Sequence, residues 1–586
     1  MTPEKIDYLQ SYLTDKLSVC PYTWESFKST LKDATNNTFE KRQKRNADWF
    51  DENDIEIQNV LKDKNLNRRE IQKRIRQMKN DWFTRKAKQA ETFHLQKNQC
   101  ESHATIREFY GPKSKNTHQV RSKNGQLLTA PDEIKERWVE HFSDLLNINS
   151  ETDESVLDEL EQLPVKEELD HPITESELEK ALNNTKLGKS PAPDGILPEV
   201  LVYGGQTLKK FLFALLTIFW TTQVLPADLI NPNLTILFKK GDRSDCGTYR
   251  GISLLSVVGK VLADILLQRL HFVLTDVYPE SQHGYRSGRG TIDGIFTVRQ
   301  LMEKTKEQRC NLYIAFIDFT KAFDTVNRQL LFSLLEKIGC PPKLIGMLKC
   351  LYSNVKARLI IDGELSKLFD YNGGVKQGCK LALSLYGIYA ALLLWIAFKG
   401  IQHEFSILIR FRTDSNLFDL KRLKTKTKVF YDFIREAQYA DDIAVMSGTA
   451  HGLQTLVTCY NGASKRFSQC QKNEAMCLGP ESDFFVDDIK LKNVDRLKYL
   501  GSFVKQACNL KTEITASIQA TSQAFYSLKQ RVFGNHDLSA NTKISVYKQC
   551  LLPILLYGSE TWTLYSQEVK QLRTIQQRHL RSILKI

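Results

Sequence analysis

From about residue 180 onward, short apolar runs alternate with stretches of helical periodicity. Residues 234–240 (LTILFKK), 313–319 (YIAFIDF) and the segment around 438–446 have the length and side-chain types of strands. Apolar positions recur at helical spacing over 255–275, 291–308, 329–350 and 381–398. That mixture predicts an α+β fold rather than a helical bundle or a β-sandwich. Upstream, Ile71, Ile75, Met78 and Trp82 mark one apolar stripe on a long helix. Thr174, with Glu177 three residues on, has the spacing of a capping box and so predicts a helix start. Residues 510–586 read as helical, and no repeat of 20–50 residues is visible.

Charge divides the 586 residues into zones. Lys and Arg number 82 against 68 Asp and Glu, a net charge of +14 that favours a polyanionic partner. Residues 61–90 hold eleven Lys/Arg against three acids, so their helix is either a solvated face or a nucleic-acid contact. Residues 151–180 reverse the sign with twelve acids and read as a solvated connector. KRQKR at 41–45 has the composition of a nuclear import patch. The 42% hydrophobic content excludes a disordered chain. Twelve cysteines without a CxxC pair exclude a disulfide scaffold and offer poor zinc-ligand spacing. The first residues are too polar for a signal peptide, and the uncharged stretch 381–398 reads as a buried helix at the short limit of a membrane span.

Three carboxylates stand out. Asp318 ends an apolar strand, and Asp441 and Asp442 sit where flanking residues suit the tip of a tight hairpin. Each alone could be a turn cap or a surface pair. Three at one sheet edge would repel one another and demand cations; Mg²⁺ is the hard ion that takes one or two carboxylates plus substrate phosphates. Two such ions about 4 Å apart would activate a hydroxyl and stabilise a leaving pyrophosphate.

The chain resembles the reverse transcriptases of LINE-type, jockey-like non-LTR retrotransposons. The resemblance rests on seven ordered blocks: PAPDGILPEVL (191–201), the run from ILFKKGD to LLQRL (236–270), SQHGYRSGRGTIDGIF (281–296), FIDFTKAFDTVNR (316–328), GGVKQGC (373–379), QYADDIAV (438–445) and LKYLG (497–501). It implies a right-hand polymerase with an antiparallel palm sheet. Under it Asp318, Asp441 and Asp442 hold two Mg²⁺ ions (Mn²⁺ as a substitute), aided by the carbonyl of Phe319. The Phe319 amide and the cations Lys240 and Arg250 receive the triphosphate. Phe323 is the steric gate against a ribose 2′-hydroxyl, and Gln377 and Gly378 shape the nucleotide pocket. Lys472 stands at the position of a general acid for pyrophosphate, with a plain surface lysine as its alternative. Tyr499, Leu500 and Gly501 match the primer grip.

Three positions depart from the family pattern. Leu383 replaces a Pro expected to punctuate a helix start, Gly387 replaces an Asn, and Asn473 replaces a Thr. Loss of the Pro is expected to loosen the backbone beside the pocket.

The expected domains are a basic helical extension (1–150), an acidic linker (151–180), fingers and palm (181–505), and a helical thumb with a truncated C-terminal region (506–586). The upstream flank is too short, too basic and too helical for the family's endonuclease, which leaves open whether a separate endonuclease is a partner. The expected activity is RNA-directed DNA polymerisation in the nucleus, on an RNA template and DNA primer with deoxynucleoside triphosphates and no membrane. The alternatives are a domesticated or weakened nucleic-acid-binding protein and, less consistent with YADD and Phe323, an RNA-dependent RNA polymerase.

Overall fold

A computed structural model of the chain describes residues 2–39, 49–62, 67–96, 98–110, 119–147, 153–189, 191–319, 321–401, 403–411, 430–467 and 471–586. The basic run 41–45 lies outside the described residues. The chain divides into two compact units: Met1–Lys41, Thr117–Thr291 and Cys310–Asn493 form the first, and Arg42–Asn116, Ile292–Arg309 and Val494–Ile586 form the second.

The first unit mixes strands and helices, as the periodicity predicts. Among its strands are β1 (Asn233–Phe238), β2 (Tyr249–Leu254), β3 (Leu312–Phe319), β4 (Lys356–Ile361), β5 (Glu436–Tyr439), β6 (Asp442–Ser447), β7 (Gln471–Leu478) and β8 (Lys492–Asn493). One sheet runs β5-β6-β3-β7-β8, antiparallel except for the last pair. A second sheet places β1 between β2 (antiparallel) and β4 (parallel). Residues 312–317 of β3 are buried without a break. A strand covered on both faces needs no polar alternation, and that is why 313–317 reads as a continuous apolar run.

Among the helices of the core are α1 (Val257–Val277), α2 (Lys380–Phe398) and α3 (Ala450–Arg466). Ser256 caps α1 by accepting from the Gly259 amide, and Thr449 caps α3 by accepting from Gly452. Helix α2 is long and apolar enough to cross a membrane, yet 89% of its apolar window is buried inside the fold, flanked by α1 and α3. A helix hydrophobic all round is what a core centre requires.

The expected linker and extension are placed differently. Arg269 of α1, 2% exposed, binds Glu177 with both ends of its fork and donates to the Leu169 and His171 carbonyls, while Val156 and Leu169 are buried. The acidic segment is therefore packed into the first unit rather than a solvated connector. The predicted capping box of Thr174 and Glu177 is present. Residues 1–150 are not one body. Helices Pro3–Leu17 and Trp24–Thr38 join the first unit, where Phe27 stacks on Phe211 at 5.4 Å, and Trp138 of Pro131–Leu146 packs on Tyr249.

In the second unit, the basic helix Arg68–Leu95 opens on an Asn67/Glu70 capping box and buries Trp82 and Phe83 in a core with Phe525, Phe533 and Tyr547. Of its predicted apolar stripe Trp82 is buried, while Ile71, Ile75 and Met78 are half-buried. The hairpin Arg496–Tyr499/Ser502–Lys505 also belongs here. Its two turn residues, Leu500 and Gly501, have φ of 47° and 88°, the signs of a type I′ turn, whose twist matches the strands.

Candidate active site

Strand pairing brings the three carboxylates to one end of the first sheet. Asp442, at the start of β6, is the direct cross-strand partner of Asp318, the penultimate residue of β3. Tyr439 pairs with Asp442, which leaves Ala440 and Asp441 as a two-residue turn between β5 and β6. Ala440 takes φ 59°, a left-handed conformation that costs a non-glycine residue roughly 1–2 kcal/mol.

Local bonds hold that turn. The side-chain oxygen of Gln282 accepts from the Ala440 amide, and the Gln438 side-chain amide donates to the Ala440 carbonyl, each at 3.3 Å. Both glutamines are fully buried. Gly284 approaches so closely that a Cβ there would lie 2.5 Å from the Ala440 nitrogen. This brace was not singled out as functional from the chain, although QHG stands within one of the recognised blocks; only the folded backbone shows what it supports.

Crowding of like charge shows in the acidities. Burial, then Asp441 and Asp318, push Asp442 up to about 6, with Lys239 and Lys240 opposing. Burial and Asp318 also raise Asp441, opposed by Arg250 and Lys239. Among the described residues no three His, Cys, Asp or Glu side chains form a ready-made metal cage.

A cavity of about 350 Å³ opens beside the carboxylates. Asp441, Phe319, Phe323, Arg250, Gln377 and Gly378 line it, all named from the sequence. Lys240 is exposed and does not line it; Lys239 and Lys321 do. The Phe323 ring is clamped by Tyr386 (centroids 4.6 Å apart, stacked) and Tyr285 (6.2 Å, edge-on). Asp324 was also missed. It accepts from the Gln377 side-chain amide at 3.3 Å, and burial pushes its carboxyl up to about 6. Its position directly after the gate in FD was the available signal.

Gly378 is required where it stands. At φ 113°, a Cβ would meet the Ser253 carbonyl of β2 at 2.7 Å, while the Ser253 amide donates to the Gln377 carbonyl at 2.7 Å. Lys472 faces Asp318 in the β3–β7 register; its side chain lies outside the described residues. Asn473 pairs with Ile317. Tyr499, Leu500 and Gly501 form the hairpin turn of the second unit, where the Tyr557 hydroxyl donates to the Leu500 carbonyl.

The departures near the pocket are accommodated. Helix α2 begins at Lys380 with Cys379 as N-cap, so Leu383 lies inside its first turns. Leu383 is 38% exposed and lines the cavity. At Gly387 any Cβ would overlap the Tyr278 hydroxyl, which itself donates to the Ser384 carbonyl at 3.3 Å. Glycine here is matched to Tyr278. Gly387→Asn, restoring the family residue, should therefore destabilise the chain by about 2 kcal/mol through overpacking. The same change in a Tyr278→Phe background should cost less; equal losses in urea melts of both backgrounds would refute the pairing.

The site is thus a sheet end carrying three acids, next to a cavity with cations, a clamped aromatic and a glycine-shaped wall. Residues 238–501 match the family described as Reverse transcriptase (RNA-dependent DNA polymerase). The chain is 29% identical over 299 residues to "Transposon TX1 uncharacterized 149 kDa protein" of Xenopus laevis, covering 49% of this chain and 23% of that protein. It is 24% identical over 494 residues to "Probable RNA-directed DNA polymerase from transposon BS" of Drosophila melanogaster (79% of this chain, 51% of the relative). To "RNA-directed DNA polymerase from mobile element jockey" of the same fly it is 22% identical over 429 residues (70% and 44%). Residues 238–501 are thus similar to a reverse transcriptase domain, and the chain is similar to proteins named for jockey and other transposable elements. It spans about half the length, or less, of these relatives.

Proposed function

We propose that the chain is an RNA-directed DNA polymerase of a non-LTR retrotransposon, extending a DNA 3′ end on an RNA template. The observation that carries this reading is the Asp318–Asp442 pairing with Asp441 at the adjoining turn, opening on a cavity gated by Phe323. In right-hand terms, β3 and β5–β8 with α2 and α3 are the palm, β1 and β2 belong to the fingers, and the C-terminal helices of the second unit form the thumb. Tyr499, Leu500 and Gly501 are its primer grip. Target cleavage is assigned to an endonuclease outside these residues, and action in the nucleus goes with that reading.

Asp318, Asp441, Asp442 and the Phe319 carbonyl would hold two divalent ions. When bound, these supply Lewis acidity to the primer hydroxyl and charge neutralisation to the leaving pyrophosphate. The protein's own part is positioning. Arg250 offers a planar fork to phosphate oxygens, and Lys239, Lys240 and Lys321 add positive potential around the cavity. Phe323, unable to retreat from Tyr386 and Tyr285, meets a 2′-hydroxyl and admits deoxyribose.

The carboxylate acidities give a metal test with a definite sign. Asp442 is held above its ordinary value, so the fold binds its proton more tightly than the unfolded chain does. This favourable term is present at low pH and is lost as pH rises from about 4 through about 6. Mg²⁺ should therefore raise the melting temperature clearly at pH 7.5 and hardly at pH 4.5. An equal effect at both values would remove the carboxylates as its site.

Primer extension on an RNA template, with Mg²⁺ and separately Mn²⁺, tests the function. Templated DNA synthesis is expected; tight hybrid binding without synthesis would establish the nucleic-acid-binding alternative instead. Preferred incorporation of ribonucleotides would point to an RNA-dependent RNA polymerase.

A further inference from the structure

Two cations, the half-buried Arg328 and the buried Lys376, stand behind the segment that ends in Gln377, and among the described residues neither meets a carboxylate. Arg328 begins helix Arg328–Lys337, four residues after Asp324. Its guanidinium donates to four carbonyls: Gly374 (2.8 Å), Tyr352 (2.8 Å), Tyr371 (2.9 Å) and Gly373 (2.9 Å). It also lies over the rings of Tyr352 and Tyr371, at 5.2 and 5.0 Å. Lys376, 3% exposed, donates to the carbonyls of Ile230 (2.7 Å) and Leu351 and stands 5.1 Å over the same Tyr352 ring. Burial lowers both groups, Lys376 to about 7. Uncompensated buried charge costs several kcal/mol, so a purely apolar filler would have been the cheaper core.

What these cations grip is the segment that ends in Gln377. Its amides are taken by the gate: Gly374 donates to the Val326 carbonyl at 2.9 Å and Val375 to the Phe323 carbonyl at 2.8 Å. Its far end is tied to β2 through Ser253. The carbonyls of Gly373 and Gly374 are left to Arg328. Only a planar fork with five donors can serve four carbonyls at once; an ammonium cannot. Both hydrogen-bonding edges of the segment are thereby fixed.

We propose that Arg328 and Lys376 are positioning residues that set the spacing between Phe323 and Gln377, and through it the strictness with which the pocket selects deoxyribose. The inference rests on the polymerase reading above and extends it to sugar specificity. Neither side chain lines the cavity. The Phe323 ring is immobilised on its own side, so the pocket's width is decided by where the opposite wall stands.

Single-nucleotide incorporation on an RNA template tests this, with a deoxynucleotide and the matching ribonucleotide measured against the unmodified chain, Arg328→Lys and Lys376→Met. Each variant should raise KM for the deoxynucleotide and lower the deoxy-to-ribo selectivity about tenfold, with kcat and hybrid Kd within about twofold. Should Arg328→Lys fail to fold, Lys376→Met carries the measurement. Variants that melt earlier but keep the selectivity of the unmodified chain would overturn the inference and leave the cations as structural only. No incorporation by the unmodified chain would instead overturn the polymerase reading, and this inference with it.

Discussion

Asp441→Asn should reduce primer extension by at least about a thousand-fold while the protein still folds and still binds hybrid. The substitution keeps the shape of the turn and removes one negative charge from a site where burial and Asp318 already disfavour it. Without divalent ions the variant should melt no earlier than the unmodified chain, because a repulsion has been relieved. Hybrid affinity should hold or rise, since the duplex backbone then approaches one acid fewer. A catalytic loss paired with unchanged or higher stability separates an electrostatic role from misfolding. Extension within about tenfold of the unmodified chain would show that Asp441 does not hold the reacting centre.

Gly374→Ala is expected to have the largest effect of any single methyl group near the pocket. The residue sits at φ 67°, and its Cβ would lie 2.6 Å from the Phe323 carbonyl and 2.7 Å from Asp324 backbone atoms. These are main-chain atoms, so no rotamer change relieves the clash. The left-handed backbone and the overpacking together should cost about 3 kcal/mol. Gly363→Ala supplies the control: φ is 92° but nothing lies within 4 Å, so only the backbone term applies. Urea denaturation of the pair measures the difference. If Gly374→Ala costs no more than Gly363→Ala, the close approach to the gate is not a constraint.

Much of this site could be read from the chain because its parts are local. The run 313–317 was recognisable as a strand since both of its faces are covered, and YADD as a hairpin tip since a two-residue turn follows from its flanks. Phe323, Gln377 and Gly378 lie in blocks a few residues long. The domain limits could not be read in the same way. The stripe of the Arg68–Leu95 helix was visible, and Trp24–Thr38 also packs by an apolar face, but an amphipathic face does not say which partner covers it. Those partners, Phe525 and Phe211, are separated from them by hundreds of residues or lie in a different block.

The departures teach the same lesson from the other side. Against a family pattern, Leu383 and Gly387 looked like damage beside the pocket. In the fold, α2 starts without a proline and Tyr278 fills the space an Asn would need. By itself, then, the sequence determined the main strand and helix types and the place of the three acids, because hydrophobic period and turn chemistry act over a few residues, while Phe323 and Gly378 were singled out by the resemblance of short motifs. The tertiary structure alone decided that Asp442 lies opposite Asp318, that Gln282 braces the turn, and that Arg328 and Lys376 grip the wall leading to Gln377. Each of those is a contact between segments far apart in the chain, set by register and burial rather than by any local preference.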